Sequence, residues 1–453
     1  MWLDKAMLQF DSIKTFRKVK HDKAVREFNE LDTKQLSVSA IRLKEILLNK
    51  MPSQYIFSKG GGEIKALHHE MNKKRRILPI RKLFKKIPNL LLALKPCLMM
   101  SPLTVSLFLE SDGFHFDTII FDEASQVCTE NAVGAIVRGR QTILAGDSKQ
   151  LPPTTFFSAA ISDNDYDDED QDDYTAIDSY ESILDEAESA LFPSQTLKWH
   201  YRSKHEHLIA FSNTSIYQNK LITFPSNKDK IPDNGVEYIY IGNGIYDKGG
   251  RRDNREEAEA TVNVIFDNIK KYPNRSMGVI TFSVAQREAI DTFLRKKRLS
   301  DTRFEDYFSE EKDEAFFIKN IETVQGDERD TIIFSIGYAK DNNGKMSMLF
   351  GPLSTLGGER RLNVAITRAK YNVKLIGSIL PTDIKVDRIT SLGPKLLRQY
   401  IDFAINGPKT LNNQIMASDT PQFDSPFEES VYDFLVQAGF NLWGYNSPPL
   451  CGG

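Results

Sequence analysis

Cysteine is scarce in this sequence. Cys97, Cys128 and Cys451 are the only three in 453 residues, far apart in the chain. That excludes a disulfide framework and leaves no CxxC pair or Cys/His cluster for zinc or iron–sulfur. A reducing, cytoplasmic setting is the expectation that follows. No apolar run reaches the roughly 20 residues of a membrane-spanning helix, and the N-terminus lacks a signal-peptide apolar core. An excess of basic charge is missing too: the net charge is -3, so any surface for nucleic acid must be local. What remains is a soluble globular composition, 40% hydrophobic and 27% charged, long enough for two or three domains.

The chain is organised around residues 118–154. Two β-branched apolar runs, 118–121 and 141–145, each end abruptly, in Asp122–Glu123 and in Gly146–Asp147. Short runs of this kind predict buried parallel strands, whose carboxyl ends carry the chemistry in open α/β sheets. Asp122, Glu123, Asp147 and Gln150 are thereby expected at one edge, the polar set a nucleotide–magnesium site needs.

Upstream, residues 1–95 read as helical, with Ala24, Phe28 and Leu31 and then Ile41, Leu43, Ile46 and Leu47 at helical spacing. Residues 72–88, NKKRRILPIRKLFKKIP, predict a helix with Ile80, Leu83, Phe84 and Ile87 on one face. Arg81, Lys82, Lys85 and Lys86 decorate the other, either as a solvated face or as contacts to nucleic-acid phosphates. Residues 97–100 read as a further buried strand, and Ser101–Pro102 as its turn. Residues 162–173 hold eight acids and no apolar anchor, a self-repelling loop without EF-hand spacing. Downstream, 276–282, 316–324, 330–336 and 372–377 are the next strand candidates, with helices expected over 203 onward, 256–271, 283–297 and 360–370.

At this point a resemblance enters. FDEASQ at 121–126 resembles a Walker B motif, and GDSKQLPP at 146–153 resembles motif III of superfamily 1 helicases, in the branch typified by the nonsense-decay helicase. The aromatic–Arg pair at Tyr201–Arg202 is similar to motif IV, ETVQGDE at 322–328 to motif V, and RRLNVAITRAK at 360–370 to motif VI. TFSVAQ at 281–286 resembles the family's TPYxxQ, with Phe and Ser in place of Pro and Tyr. The motifs occur in the family's order over about 118–370.

The resemblance implies an α/β fold of two RecA-like parallel-sheet domains with ATP between them. Asp122 would hold Mg2+, Glu123 would be the base for water attack, and Gln150 would sense the γ-phosphate. Arg202 and Arg368 would neutralise its charge. Asp147, Gly326, Glu328 and Arg361 would complete nucleotide binding, Glu328 at the ribose. Ser101, Thr104, Pro152, Thr281, Gln286 and Thr323 would touch single-stranded DNA or RNA, although Ser101 and Thr104 suit simple turn and helix capping equally well. Arg361 and Arg368, seven apart, are expected on one helix face.

One family element is missing: no G-x-x-x-x-G-K-[S/T] string precedes Phe121. Met1 therefore reads as an internal start, and a P-loop segment, in the same chain or as a separate partner, is expected to complete the site. The expected layout is a helical, basic region over 1–95, a first RecA-like domain over 96–225, and a connection over 226–271. A second RecA-like domain over 272–410 follows, then a linker and the start of a nuclease-like domain over 411–453. The function implied is an ATP-dependent helicase moving on single strands. The competing reading is a non-catalytic nucleic-acid- or partner-binding remnant.

Overall fold

The computed structural model describes residues 16–51, 62–110, 112–153, 180–224 and 232–411, with Lys5 and Gln9. The acidic run at 162–173 and the nuclease-like stretch beyond Leu411 lie outside the described residues. The chain divides into two compact units, one of residues 1–122 and 128–145, the other of residues 123–127 and 146–453.

In the first unit, α1 (Lys18–Lys50) is helical as its spacing predicts, yet it buries none of its residues. Next come α2 (Glu63–Met71), α3 (Ile80–Lys86), α4 (Pro88–Leu94) and α5 (Pro102–Phe108). They share a small core of Ile64, Ile87, Leu90, Leu91, Leu109 and Phe114. Glu63 ties α2 to α4, accepting from Asn89 at 2.9 Å and from the Leu90 amide at 2.6 Å. Leu83 and Phe84 pack inward on α3, whereas Ile80, expected beside them, is exposed.

The strand expected over 97–100 does not form. Cys97 is exposed and Met99 almost fully so, because this short run between Pro96 and Pro102 finds no ladder partner among the described residues. β1 (Phe116–Phe121) and β2 (Gly139–Leu144) do form, parallel and in register from Phe116↔Gly139 to Phe121↔Leu144, with α6 (Thr129–Ile136) between them in sequence. They are not the buried strands their composition predicts. Ile120 is 66% exposed and Ile143 43%, so among the described residues this sheet of β1 and β2 lacks the cover parallel strands normally have.

The second unit carries α7 (Ile183–Ser189), α8 (His207–Ser215), β3 (Gly235–Tyr240), α9 (Arg255–Lys271), β4 (Met277–Thr281) and α10 (Val284–Ser300). β5 (Phe317–Asn320), β6 (Arg329–Ser335), α11 (Gly358–Ile366), β7 (Ala369–Gly377) and α12 (Leu392–Asn406) follow. Its five strands are all parallel, in the order β3-β7-β6-β4-β5. β4 and β6 are near-continuous apolar runs because both sheet faces are covered. On β6, Ile332 and Phe334 point into one core with Leu362, Leu397 and Tyr400. Ile333 points into the other, with Ile265 and Phe266 of α9 and Ile290 of α10.

β3 and α9 fall in the stretch assigned above to a connection. β3 instead pairs with β7 from Gly235↔Asn372 to Tyr240↔Gly377, so the domain reaches back to Gly235. β4 leads to β5 on one side and β6 to β7 on the other, which sets the topological switch point between β4 and β6. Two glycines pin the helices of one face: a Cβ at Gly358, the first residue of α11, or at Gly393, the second of α12, would collide with the Leu353 carbonyl.

Candidate active site

The amino edge of the five-stranded sheet is built from charge. Glu328 immediately precedes β6, and Arg368 immediately precedes β7. Arg202 Nε lies 2.9 Å from Glu328, whose carboxylate also faces Lys370 at 3.7 Å; Lys370 continues to Glu314 at 2.5 Å. The Lys204 amide donates to the Lys370 carbonyl at 2.7 Å, holding the Arg202 segment against the start of β7. The helix expected from Ser203 begins at His207, leaving Arg202 in a loop, half exposed.

Motif VI departs from its expected form. α11 starts at Gly358 and ends at Ile366, and β7 begins at Ala369. Arg368 therefore sits in a turn, not on a helix face shared with Arg361. The competing order is strand pairing, since Arg329↔Ala369 opens the β6–β7 ladder. Arg361 is occupied locally, donating to the carbonyls of Leu356 (2.8 Å) and Pro352 (3.4 Å) and facing Glu322 at 3.5 Å.

Arg368 is 5% exposed. Its Nε donates to the Val364 carbonyl at 2.9 Å and its Nη2 to Gln150 Oε1 at 3.2 Å. Motif III and motif VI thus meet. Burial, and then the neighbouring Arg202, hold the Arg368 pKa below its ordinary value, while Glu123 and Glu328 act the other way. Glu123 lies on an exposed left-handed turn, φ 54°, with Gln126 Nε2 donating to its carboxylate at 3.2 Å. Asp122 is exposed at the end of β1, in the first unit.

Asp147 is committed locally. Its carboxylate accepts from the Lys149 amide (2.9 Å), Gln150 Nε2 (3.0 Å) and Tyr217 Oη (2.7 Å). Its bond to the Gln150 amide orients that side chain. The Tyr217 hydroxyl accepts in turn from Asn363 Nδ2 at 2.9 Å, and that amide also donates to the Lys149 carbonyl at 3.0 Å. Neither Tyr217 nor Asn363 was foreseen. The signal for Asn363 was present, a polar residue on the apolar face of RRLNVAI, which must find partners once buried.

The carboxyl edge is of a different kind. Thr281 and Gln286, expected to touch nucleic acid, are both fully buried. Thr281 donates to the Ser283 carbonyl at 2.8 Å. Gln286 accepts from the Asn254 amide (2.8 Å) and donates to the Asn254 carbonyl (3.2 Å) and Ser335 Oγ (2.9 Å). Beside it Glu257 accepts from the Gly337 amide (2.7 Å), Ser335 (2.8 Å), Ser378 (3.1 Å) and Asn254 Nδ2 (3.3 Å). Burial pushes its carboxyl up from 4.5 to about 7. Of the positions assigned to nucleic acid here, Thr323 is exposed, while its hydroxyl bonds to Asn320 Oδ1 at 2.8 Å. Gly326 has φ +85° and open space where a Cβ would be, as close backbone approach requires.

In the first unit Ser101 caps α5, accepting from the Thr104 amide at 3.3 Å, with the two hydroxyls 2.7 Å apart. The capping reading is the one observed. Arg81, Lys82, Lys85 and Lys86 are all exposed, Lys85 facing Glu110 at 2.8 Å. Pro152 is partly buried. Among the described residues no three His, Cys, Asp or Glu side chains converge as a metal cluster, and no helix is long and apolar enough to cross a membrane.

Residues 101–158 and 180–380 each match an AAA domain. An uncharacterised ATP-dependent helicase of Mycoplasma pneumoniae is 36% identical over 352 residues, 75% of this chain and 30% of that protein. Another from Methanocaldococcus jannaschii is 30% identical over 290 residues, 59% of this chain and 36% of that protein. The helicase SEN1 of Saccharomyces cerevisiae is 27% identical over 280 residues, 58% and 11%. The chain thus spans about a third or less of the length of the first two relatives it matches. The two AAA matches, the ordered motifs they contain and these relatives make the chain similar to superfamily 1 helicases over these residues.

Proposed function

We propose that this chain carries the γ-phosphate-sensing and arginine-bearing part of an ATP-dependent helicase of the nonsense-decay-helicase-like branch, moving on single-stranded DNA or RNA. The units around β1–β2 and β3–β7 would be its RecA-like domains. The observation that carries the reading is the bond from Arg368 to Gln150, which joins the ends of two motifs 218 residues apart. The site also suits a polyanion. Arg202 and Arg368 repel one another at the sheet's amino edge, with Arg368 almost wholly buried, and phosphate oxygens would relieve both the repulsion and the burial.

When bound, MgATP supplies the transferable phosphoryl group, and the ion neutralises part of its charge. Asp122 would hold that ion. Glu123 would take the proton of the attacking water, and Gln150, oriented by Asp147, would fix the position of the terminal phosphate. Arg202 and Arg368 would bear the charge that develops there. Glu328 would reach a ribose only when its pair with Arg202 opens. Arg81, Lys82, Lys85 and Lys86 would add salt-dependent contacts to the nucleic-acid backbone. The stretch beyond residue 424 is read as the opening of a nuclease-like domain, and a cytoplasmic location suits the whole.

The sequence of residues 1–453 has no P-loop string, which favours the second reading, a non-catalytic binding remnant, for the isolated chain. One experiment separates the two. Phosphate release is measured with saturating single-stranded DNA or RNA, for the chain alone and with a P-loop-bearing segment in cis or in trans. The chain alone is expected to be near background, since even one lost preorganised donor costs about 2–4 kcal/mol of transition-state stabilisation. The added segment should restore turnover that Glu123→Gln abolishes. Restored turnover indifferent to Glu123→Gln and Arg368→Ala would overturn the assignment.

A further inference from the structure

Gln150 and Arg368 reach each other from opposite sides of a gap in sequence, and one bond at 3.2 Å does not by itself fix either of them. The 146–151 loop has no regular secondary structure, and Arg368 sits in a turn after the last residue of α11. Something must hold loop and helix together. Beside that bond stands Tyr217, just past the C-terminus of α8. Its hydroxyl has one proton and spends it on Asp147, the residue that orients Gln150. Its lone pair accepts a hydrogen bond from the Asn363 amide, five residues before Arg368. Asn363, itself fully buried, uses its second amide proton on the main chain of the loop, at Lys149.

We infer that Tyr217 is a positioning residue of this site: it clamps the 146–151 loop to α11, so that Gln150 and Arg368 face a terminal phosphate as one rigid unit. The inference rests on the ATP reading above. Burial and the Asp147 carboxylate both raise the phenol's pKa, so the hydroxyl keeps its proton and stays a donor to Asp147 across the physiological range. Five bonds, three at the Asp147 carboxylate, one from Asn363 to the Tyr217 hydroxyl and one from Asn363 to the Lys149 carbonyl, close a ring that the loop could not leave without breaking several at once. The chemical consequence is selective. A clamp that fixes Gln150 and Arg368 matters for a nucleotide with a terminal phosphate and hardly at all for a diphosphate.

The test is the affinity of the chain for MgATP and for MgADP by calorimetry, in the native protein and in Tyr217→Phe, which keeps the ring and removes the hydroxyl. The ratio of the two affinities should fall about tenfold, with ADP affinity unchanged, since a hydrogen bond to a charged group is worth that much. Asn363→Leu cuts the clamp from its other end. It should have the same effect, and the double variant should be no worse than either single one. Equal losses for ATP and ADP, or an unchanged ratio in both variants, would overturn the proposal. A native chain that binds neither nucleotide even with the P-loop-bearing segment present counts against the ATP reading instead. The clamp is then decided by nitrogen-15 spectra of the Gln150 side-chain amide and the Arg368 Nε–H. In Tyr217→Phe the first should shift, and the second should exchange with water about ten times faster. Unchanged signals would remove the clamp.

Discussion

The two edges of the five-stranded sheet carry the same kinds of motif and have opposite chemistry. At the amino edge, Arg202, Glu328, Lys370 and Glu314 form a chain of ion pairs at the surface, each side chain between 22 and 45% exposed. At the carboxyl edge, Asn254, Glu257, Gln286 and Ser335 are fully buried, and every one is bound to another member of the set. Parallel α/β sheets usually bind ligands beyond their carboxyl ends, at the switch point. Here the protein's own glutamate, Glu257, binds the groups at the carboxyl ends of β6 and β7. The amino-edge ion pairs are partly exposed, where such pairs are weak, and the carboxyl-edge set is buried and hydrogen-bonded.

The sharpest way to break this comparison is pH. Glu257 has a folded-state value of about 7 against an ordinary 4.5, so the folded protein holds a proton that the unfolded chain has lost between those values. Its contribution is complete below about pH 4.5 and is lost as pH rises through about 7. Denaturant titrations should show a component of up to about 3 kcal/mol falling across that window, absent in Glu257→Gln. A second cut separates structure from binding. Gln286→Ala should cost about 2 kcal/mol of stability, because it orphans the Asn254 main chain, with single-strand affinity changed no more than stability explains. Thr323→Ala should do the reverse in a filter-binding titration at low salt. The smallest effect is expected at the amino edge: Arg202→Ala should move the unfolding midpoint by no more than about 0.5 kcal/mol allows. A large loss there would make the ion chain a structural element.

Much of this was legible in the sequence, for a physical reason. β1, β2, β4, β6 and β7 were visible because parallel pairing demands consecutive β-branched residues, and α9 because Glu256 and Glu257 open it and Lys270 and Lys271 close it. What stayed hidden depended on partners distant in the chain. Arg368 looks helical until β7 claims Ala369 through Arg329. Gln286 looks available until the Asn254 backbone, 32 residues earlier, occupies both ends of its amide. Tyr217 carries no local signal, since its role is defined only by Asp147 and Asn363.

The paired glycines at the starts of α11 and α12 bear on how this domain can be recombined. Gly358 and Gly393 crowd a single carbonyl, that of Leu353, so the two helices and the turn between 351 and 353 share one steric tolerance. A chimera that imports α11 from a relative with any side chain at the first position would push on α12 through that oxygen, and on Arg368 at its own far end. Grafts in this domain should therefore be cut outside 351–393, so that both helices and the turn arrive from the same parent.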